Sequence, residues 1–253
     1  MQTIIYTLLT FLNGSVKEDT PYQIGLCLLE HLRELPSLSL QEAADLCHVS
    51  VATLNRFCKT LGLGNYSTLR EHASHRQKHD YPNQYDEDFI FRLSQNLQII
   101  EAIHLSHIDQ VVDRIHQARN IILLGYGDFQ FEALYFQKHL FSHGKYARLC
   151  SDAMPDTDIL KQLTKDDLII LTSIQLDYIR INKSKATQSL ISQLNCQKVL
   201  ITQSNEQALL ALFDVVLSCG PHTQKDVRTY TILHMYDRLI ARYHEKYCPE
   251  VYE

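Results

Sequence analysis

The chain has 253 residues, of which 45% are hydrophobic and 21% charged, and its net charge is −5 at pH 7. This length accommodates one large domain or two modest ones, and the composition is that of an ordinary globular protein. No apolar run reaches the roughly 18 residues of a membrane span, and the negative net charge argues against a protein that coats nucleic acid non-specifically.

Cysteine and histidine spacing argues against a metal centre and against a disulfide framework. The seven cysteines include no CxxC pair, and the thirteen histidines include no HExxH motif. Cysteines within apolar segments favour buried free thiols in a reducing compartment. The apolar run at residues 1–12 has no basic region before it and no small-residue cleavage site after it, which favours a buried helix over a signal peptide. We therefore expect a cytoplasmic protein with no metal and no cofactor.

Two helices are predicted ahead of the central motif. Residues 1–12 form the first, and a turn follows at residues 13–15. Thr20 is the predicted N-cap of the second helix, because Pro21 near the first helical position has the fixed φ that a helix start accepts. The sequence places the end of this helix at Pro36.

Residues 39–67 carry the signals of a helix-turn-helix, and the rest of the chain is organised around them. Ser39 and Glu42 form a capping box at the start of a first helix, which ends at residues 47–48. Ser50 is the predicted N-cap of a second helix over residues 51–61, and Gly62 is expected to end it as a C-cap residue. Apolar residues recur at helical spacing in both helices, which predicts one buried face for each.

The second of these helices carries the side chains that a DNA recognition helix needs. Hydroxyl and amide groups lie near its start, where they approach phosphates and base edges, and cations follow farther along. Residues 1–46 contain two basic and six acidic residues, whereas residues 47–79 contain five basic residues and one acidic residue. The alternatives are a helical hairpin with a solvated polar face, or an Arg56 that pairs within its own domain. The candidate DNA-binding residues are Ser39, Ser50, Thr53, Asn55, Arg56 and Lys59.

A basic helix, a linker and two further helices are predicted after the helix-turn-helix. Ser67 is the expected cap of the basic helix, which runs to about residue 78. Residues 80–88 are polar, contain a proline and lack periodicity, so they are the candidate hinge. Helical patterns then cover residues 88–103 and 106–117. The predicted domains are a helix-turn-helix domain at 1–79, a linker and connecting helix at 80–105, and an α/β domain at 106–253.

Five short apolar runs follow residue 120 and predict a parallel sheet. Runs that are continuously apolar indicate strands buried on both faces, with helices covering each side. Ligands of such sheets bind beyond the carboxyl ends of the strands. The predicted strands are 121–124, 146–150, 168–172, 199–202 and 215–217, and the predicted helices are 129–143, 156–163, 185–194 and 226–247.

The segment from Ser50 to Leu69, SVATLNRFCKTLGLGNYSTL, resembles the N-terminal domain of the RpiR-type bacterial transcriptional regulators. Their pattern is roughly S-x-A-T-h-x-R-F-x-K-x-L-G-h-x-G-a-x-x-L, where h is apolar and a is aromatic; here the second glycine falls one position early, at Gly64. The resemblance implies a C-terminal SIS (sugar isomerase) domain. The expected fold class is therefore α + α/β, an all-helical domain followed by a five-stranded parallel α/β sandwich. The matching residues are Ser50, Ala52, Thr53, Arg56, Phe57, Lys59, Leu61, Gly62 and Leu69.

The loops that hold phosphosugars in SIS domains are altered in this sequence. Such domains usually carry G-x-G-S-S after the first strand, where this chain reads GYGDF at residues 125–129. They carry S-x-S-G-x-T after the third strand, where residues 173–178 read SIQLDY. Lost hydroxyls and added carboxylates disfavour a phosphate at a helix start. The candidate effector-binding residues are Gly125, Gly127, Ser173 and Gln175.

Three functions are compatible with these features. The resemblance implies a DNA-binding transcriptional regulator of carbohydrate metabolism genes, a homodimer or homotetramer that binds double-stranded DNA and a sugar phosphate or related small molecule, with no membrane role. The first alternative is an enzyme, either a sugar-phosphate isomerase or a nucleotide-dependent enzyme. Its signals are weak, because Gln130 replaces the third glycine of a dinucleotide loop and His222 near Asp226 has the position of a surface loop histidine. The second alternative is a dimerising scaffold without a ligand. We expect no enzymatic activity.

Overall fold

The computed structural model describes residues 2–74, 87–125, 129–150, 157–176 and 191–249. The chain divides into two compact units. The first contains the described residues up to 74, and the second contains the described residues from 87 onwards. Each unit is built around its own hydrophobic core.

The first unit is entirely helical in its described residues. A short 3₁₀ turn at Leu35–Ser37 separates its second and third helices. The helices are α1 Gln2–Gly14, α2 Thr20–Glu30, α3 Leu40–Leu46, α4 Val51–Thr60 and α5 Tyr66–Ser74. Leu28, Leu54 and Leu69, from three different helices, are fully buried in one cluster. This cluster fixes α3 and α4 on a common helical frame.

Three predicted helix boundaries in this unit are wrong by a few residues. Asp19, not Thr20, caps α2, because its Oδ1 accepts a hydrogen bond from the Tyr22 amide at 3.3 Å. The same helix ends at Glu30, ahead of Pro36. Asn65, not Ser67, caps α5, and its Oδ1 accepts from the Thr68 amide at 3.1 Å. Short carboxylate and amide side chains reach the backbone amide of the third helical residue well. A neighbouring Asp or Asn can therefore be the N-cap in place of the predicted Thr or Ser.

The second unit is a five-stranded parallel sheet with helices on both faces. The strand order is β2-β1-β3-β4-β5, and every pairing is parallel. The strands are β1 Ile121–Gly125, β2 Ala147–Cys150, β3 Leu168–Thr172, β4 Gln197–Thr202 and β5 Val215–Ser218. The helices are α6 Phe89–Glu101, α7 Leu105–Gln117, α8 Gln130–Ser142, α9 Thr157–Lys161, α10 Gln207–Leu210 and α11 Lys225–Tyr247. The predicted fold class is confirmed.

Each face of the sheet has its own apolar layer. Neighbouring residues of β1 alternate between them, so that Leu123 belongs to one cluster and Leu124 to the other. Helices α6, α7 and α8 contact α11 on one face. Of the predicted helix at 185–194, residues 185–190 lie outside the described part of the chain. Continuous burial of β1 and β3 explains why their sequences read as unbroken apolar runs.

All seven cysteines are free thiols. Burial raises the pKa of Cys58 and of Cys196 to about 11, so both thiols are protonated at neutral pH. A protonated thiol is a poor nucleophile and a poor metal ligand. Within the described residues, no helix is long and apolar enough to cross a membrane.

Candidate nucleic-acid interface and ligand site

The two helices of the helix-turn-helix end in the same hydrogen-bonded motif. After α3, His48 adopts a left-handed φ of 53°, and the Val49 amide donates to the Ala44 carbonyl at 2.9 Å. After α4, Gly62 has a φ of 78°, and the Leu63 amide donates to the Cys58 carbonyl at 2.9 Å. This is the Schellman geometry, which satisfies the carbonyls that a helix end leaves unpaired. The turn before α4 is therefore fixed by backbone hydrogen bonds.

Serine side chains cap the starts of α3 and α4. Ser39 forms the predicted capping box, in which its amide donates to the Glu42 carboxylate at 2.8 Å and its hydroxyl accepts from the Glu42 amide at 3.2 Å. The Ser50 hydroxyl accepts from the Thr53 amide at 3.2 Å and lies 2.9 Å from the Thr53 hydroxyl. Both serines are exposed or partly exposed at a helix N-terminus, where backbone amides and the helix dipole favour an anion.

One face of α4 is buried and the opposite face carries two cations. Leu54, Phe57 and Cys58 are buried, whereas Arg56 and Lys59 are exposed. Within the described part of the chain, neither Arg56 nor Lys59 forms an ion pair with a carboxylate. The interpretation of Arg56 as an internal salt bridge therefore has no support in these residues. The face is free to meet an anionic partner.

Asn55 has a bracing contact inside the helical unit. Its Oδ1 accepts a hydrogen bond from the Tyr66 amide at 3.1 Å, which ties α4 to the start of α5. Tyr66 is buried, and its hydroxyl donates to the carbonyls of Leu35 and Leu38, both at 3.3 Å. Burial raises the pKa of Tyr66 to about 12. Sequence reasoning assigned Asn55 to DNA and did not identify this contact, since a structural asparagine and a base-reading asparagine look alike in sequence.

The sheet of the α/β unit has its switch point between β1 and β3. In the order 2-1-3-4-5, chain connections leave these two strands in opposite directions and open a crevice at their carboxyl ends. Gly125 pairs in register with Thr172 at this point. A Cβ on Gly125 would lie 2.9 Å from the Phe129 carbonyl oxygen and 3.2 Å from the Ala133 Cβ, so only glycine admits α8 this close to β1.

The predicted effector residues are only partly described. Gly127 lies outside the described residues. Ser173 follows β3 and is buried, and its carbonyl accepts from the Thr202 hydroxyl at 2.7 Å. The Gln175 Nε2 donates to the Thr223 hydroxyl at 3.1 Å, so this side chain joins the loop after β3 to the loop after β5. The structure thus brings Gly125, Ser173 and Gln175 to one edge of the sheet.

Two amide side chains that sequence reasoning missed hold the loop after β5. The Gln203 Nε2 donates to the carbonyls of Cys219 at 3.0 Å and His222 at 2.7 Å. Asn96 of α6 is fully buried; it donates to the His222 carbonyl at 2.9 Å and accepts from the His222 amide at 3.0 Å. Gly220, with a φ of 89°, permits this approach, because an added Cβ would lie 2.5 Å from the Asn96 Oδ1. An asparagine inside an apolar helical pattern was the available sequence signal.

The acid–base pair considered for an enzyme does not form. His222 interacts through Nε2 with the Gln95 side chain, and Asp226 pairs with Arg92 instead. Among the described residues, no group of three histidine, cysteine, aspartate or glutamate side chains is placed to hold a metal ion. The described side chains that form hydrogen bonds at this edge are amides and hydroxyls, among them Gln175, Gln203 and Thr223.

Comparison with known proteins finds transcriptional regulators and, among the solved structures, sugar-phosphate isomerases. No family model matches the sequence. The chain is 22% identical over 234 residues, 86% of its length and 80% of the relative's, to an uncharacterised HTH-type transcriptional regulator from the aarA 3′ region of Providencia stuartii. The solved sugar isomerase domain of an RpiR transcription factor from Sphaerobacter thermophilus covers 62% of this chain and 86% of its own, at 19% identity and a TM-score of 0.51.

A third relative spans both units of the chain. The NanR protein of Vibrio vulnificus, solved with ManNAc-6P, is 20% identical and covers 96% of this chain and 92% of its own, with a TM-score of 0.48. The resemblance to helix-turn-helix regulators that carry a SIS domain is confirmed by the relatives from Providencia and Sphaerobacter. The solved domain from Sphaerobacter supports the sandwich fold of the second unit.

Proposed function

We propose that the protein is a dimeric DNA-binding transcriptional regulator of carbohydrate metabolism genes, which acts in the cytoplasm and whose α/β unit binds a small-molecule effector. The observation that carries this proposal is the exposed face of α4. Arg56 and Lys59 are exposed on this face, and among the described residues neither has a carboxylate partner. The chain is also similar to a transcriptional regulator. Cations held on a capped, rigid helix are what the DNA backbone attracts.

The roles of the individual side chains follow from their positions. Arg56 and Lys59 contact phosphates or base edges in the major groove. Ser39 and Ser50 place the amino ends of α3 and α4 against phosphates, where their hydroxyls remain able to donate. Thr53 lies one turn into α4 and reaches the same groove. Asn55 has an amide nitrogen left for DNA, because its oxygen is engaged by Tyr66.

A band-shift assay with DNA from upstream of the protein's own operon tests this function. The Arg56→Ala, Lys59→Ala variant is expected to bind at least 10-fold more weakly, because each lost contact is worth about 1–3 kcal/mol. If both side chains contact phosphates, the slope of log binding constant against log salt concentration should be less steep for the variant by up to about two. The matched control is Lys17→Ala, Arg33→Ala, which removes the same charge from exposed positions of the same unit. Equal binding by all three proteins would contradict the proposal.

Dimerisation is assigned to an apolar stripe on α8, formed by Phe131, Leu134 and Phe141. These side chains are 65%, 41% and 66% exposed and lie on one face of the helix, with Lys138 between them. Large contiguous apolar patches on a soluble surface mark interaction sites. Antiparallel packing of two such helices places the Phe131 end of one against the Phe141 end of the other, which is the self-complementary geometry of a two-fold dimer.

An enzymatic role is not proposed. Catalysis of an aldose–ketose interconversion needs a base within reach of the substrate carbon, and His222 and Asp226 are each held by another residue. The ligand of the α/β unit is therefore proposed as an effector, a sugar phosphate or a related small molecule.

A further inference from the structure

Three cysteines of the helical unit meet at the turn of the helix-turn-helix. Cys27 lies in α2, Cys47 is the C-cap residue of α3, and Cys58 lies in α4. The Cys27 thiol donates to the Leu46 carbonyl at 3.6 Å, and this carbonyl is bonded to the Cys47 nitrogen. Cys47 packs against the apolar cluster that contains the fully buried Cys58. The remaining four cysteines of the chain lie in the second unit.

The thiols of Cys27 and Cys47 are direct neighbours. Burial raises the pKa of Cys47, and a hydrogen bond between its thiol and the Cys27 thiol raises it further. A hydrogen bond raises the pKa of a thiol when that thiol is the donor, so the Cys47 S–H donates to the Cys27 sulfur. Two sulfurs that are in hydrogen-bond contact and come from different helices are the starting arrangement for a disulfide.

The three thiols differ in their access to solvent. Cys27 and Cys47 are each partly exposed, whereas Cys58 is fully buried. A small oxidant in solution therefore reaches the first two thiols and not the third. Because its raised pKa keeps Cys47 protonated at neutral pH, the first nucleophilic attack falls to Cys27. Cys47 is then in place to complete the reaction.

We propose that Cys27 and Cys47 are a reversible oxidation site, at which a low-molecular-weight disulfide such as glutathione disulfide converts the two thiols into one intramolecular disulfide. This inference goes beyond the proposed function and rests on neither DNA binding nor effector binding. In a reducing compartment the dithiol is the resting form. The disulfide forms when the oxidised form of glutathione accumulates.

The reaction proceeds by two thiol–disulfide exchanges. The Cys27 thiol loses its proton to solvent, and the thiolate attacks one sulfur of glutathione disulfide, breaks its S–S bond and releases one glutathione. The Cys47 thiol then loses its proton and attacks the Cys27 sulfur, which forms the intramolecular bond and releases the second glutathione. Two protein thiols are oxidised, and glutathione disulfide is reduced to two thiols. The new bond ties α2 to the residue just before His48, in the turn ahead of α4.

Single serine substitutions separate this site from general thiol reactivity. Cys47→Ser removes the second thiol, so Cys27 is expected to keep one glutathione as a stable mixed disulfide. Cys248→Ser is the matched control, because Cys248 is also partly exposed but lies in the second unit. This control should form the link between Cys27 and Cys47 to the same extent as the wild type. Circular dichroism establishes that each variant is folded.

Peptide mapping of the full-length protein reads out the link. Reduced protein is incubated with excess glutathione disulfide, its remaining thiols are alkylated under denaturing conditions, and it is digested with trypsin without reductant. Tryptic cleavage puts the three cysteines on separate peptides, residues 18–33, 34–56 and 57–59. The expected product joins the first two peptides, and dithiothreitol separates them.

Four results would overturn the inference. They are a link that includes Cys58, a covalent dimer on a non-reducing gel in place of the internal link, glutathione adducts on Cys27 and Cys47 without a link, and a folded Cys47→Ser protein with no adduct at Cys27. The wild-type map needs no substitution, so it decides the pairing even if a serine variant does not fold.

Discussion

His48 and Gly62 occupy equivalent positions, just past the ends of α3 and α4. Both have positive φ, at 53° and 78°, and both belong to the same carbonyl-satisfying motif. Glycine takes up this conformation without a steric penalty, whereas histidine pays for the contact between its Cβ and the backbone. The His48 side chain is exposed, and among the described residues of the helical unit it forms no hydrogen bond that would offset the strain.

Substitutions at these two positions are expected to change the free energy of unfolding in opposite directions. His48→Gly should raise the free energy of unfolding by about 0.5–1 kcal/mol, because it relieves a left-handed residue at an exposed turn. Gly62→Ala should lower it by about 1 kcal/mol for the converse reason. Urea unfolding of the full chain, followed by circular dichroism, measures both. A destabilised His48→Gly variant would show that the imidazole has a favourable interaction.

Asp167 predicts a pH-dependent contribution from a single carboxylate. Its burial alone would raise its pKa, but hydrogen bonds from Thr164, Asn120 and Arg119 outweigh burial and bring the pKa to about 2. Because the folded pKa lies below the unfolded value of about 3.9, the stabilisation is complete at neutral pH. It is lost as the pH falls from about 4 towards 2.

Asp167→Asn tests this contribution. The variant should lose about 1–3 kcal/mol of stability at pH 7, because a buried network loses its charge-assisted acceptor. The stability difference between variant and wild type should narrow below about pH 4, because the Asp167 carboxylate of the unfolded wild-type chain takes up a proton there while the folded one stays ionised. Denaturation curves at pH 7, 5 and 3.5 give the comparison. If the difference in stability between variant and wild type stays constant with pH, the loss is caused by the changed shape of the side chain and not by its charge.

At the scale of elements, the sequence predicted strands better than helix starts. The predicted strand 168–172 matches β3 residue for residue. A strand covered on both faces is apolar along its whole length, so the ends of the apolar run mark the ends of the strand. Helix starts depend on which of several short polar side chains reaches the third amide, and Asp19 and Asn65 displaced the predicted caps. The 3₁₀ turn at Leu35–Ser37 and the four-residue α10 were not predicted, because elements this short have no periodicity.

Features of the candidate sites could be predicted from the sequence only where they depend on residues that are close together in the chain. Ser39 and Ser50 cap their helices as expected, because a cap is recognised within three residues of sequence. The burial of Asn96 was not identified, because Asn96 is bonded to the loop at His222, 126 residues later in the sequence. Glutamine and asparagine in sequence suggest exposed surface, and only the packed fold shows otherwise.

The apolar stripe on α8 predicts which substitutions abolish the proposed dimer. Phe131→Ser, Phe141→Ser should turn the dimer into a monomer, since each exposed phenyl ring is worth about 1.5–3 kcal/mol once buried against a partner. Sedimentation equilibrium measures the change in mass. Val16→Ser is the control, because Val16 is 97% exposed but lies outside the stripe. A dimer that survives the double substitution would place the interface elsewhere.

For the whole molecule, the proposed two-fold dimer would link dimerisation to DNA affinity. A dimer that engages two half-sites binds far more tightly than a single recognition helix, because the second contact becomes intramolecular. The wild-type protein is therefore expected to prefer a two-fold related operator over an isolated half-site by at least about tenfold. The Phe131→Ser, Phe141→Ser protein should lose this preference and keep its half-site affinity. Band shifts on both DNAs provide the measurement, and an unchanged preference would contradict the dimeric mode of binding.

The Asn96–Gly220 contact sets the boundary of any fragment made to study the α/β unit alone. Asn96 lies in α6, before the first strand, yet it supplies both hydrogen bonds to His222 and a donor to the Thr231 hydroxyl at 3.1 Å. A fragment that starts at α7 would contain all five strands and still leave the His222 amide without its partner, the Asn96 side chain. Such a fragment would distort the loop that carries Thr223, the partner of Gln175. Its ligand titrations would then report a damaged site, so the shortest faithful fragment begins ahead of Phe89.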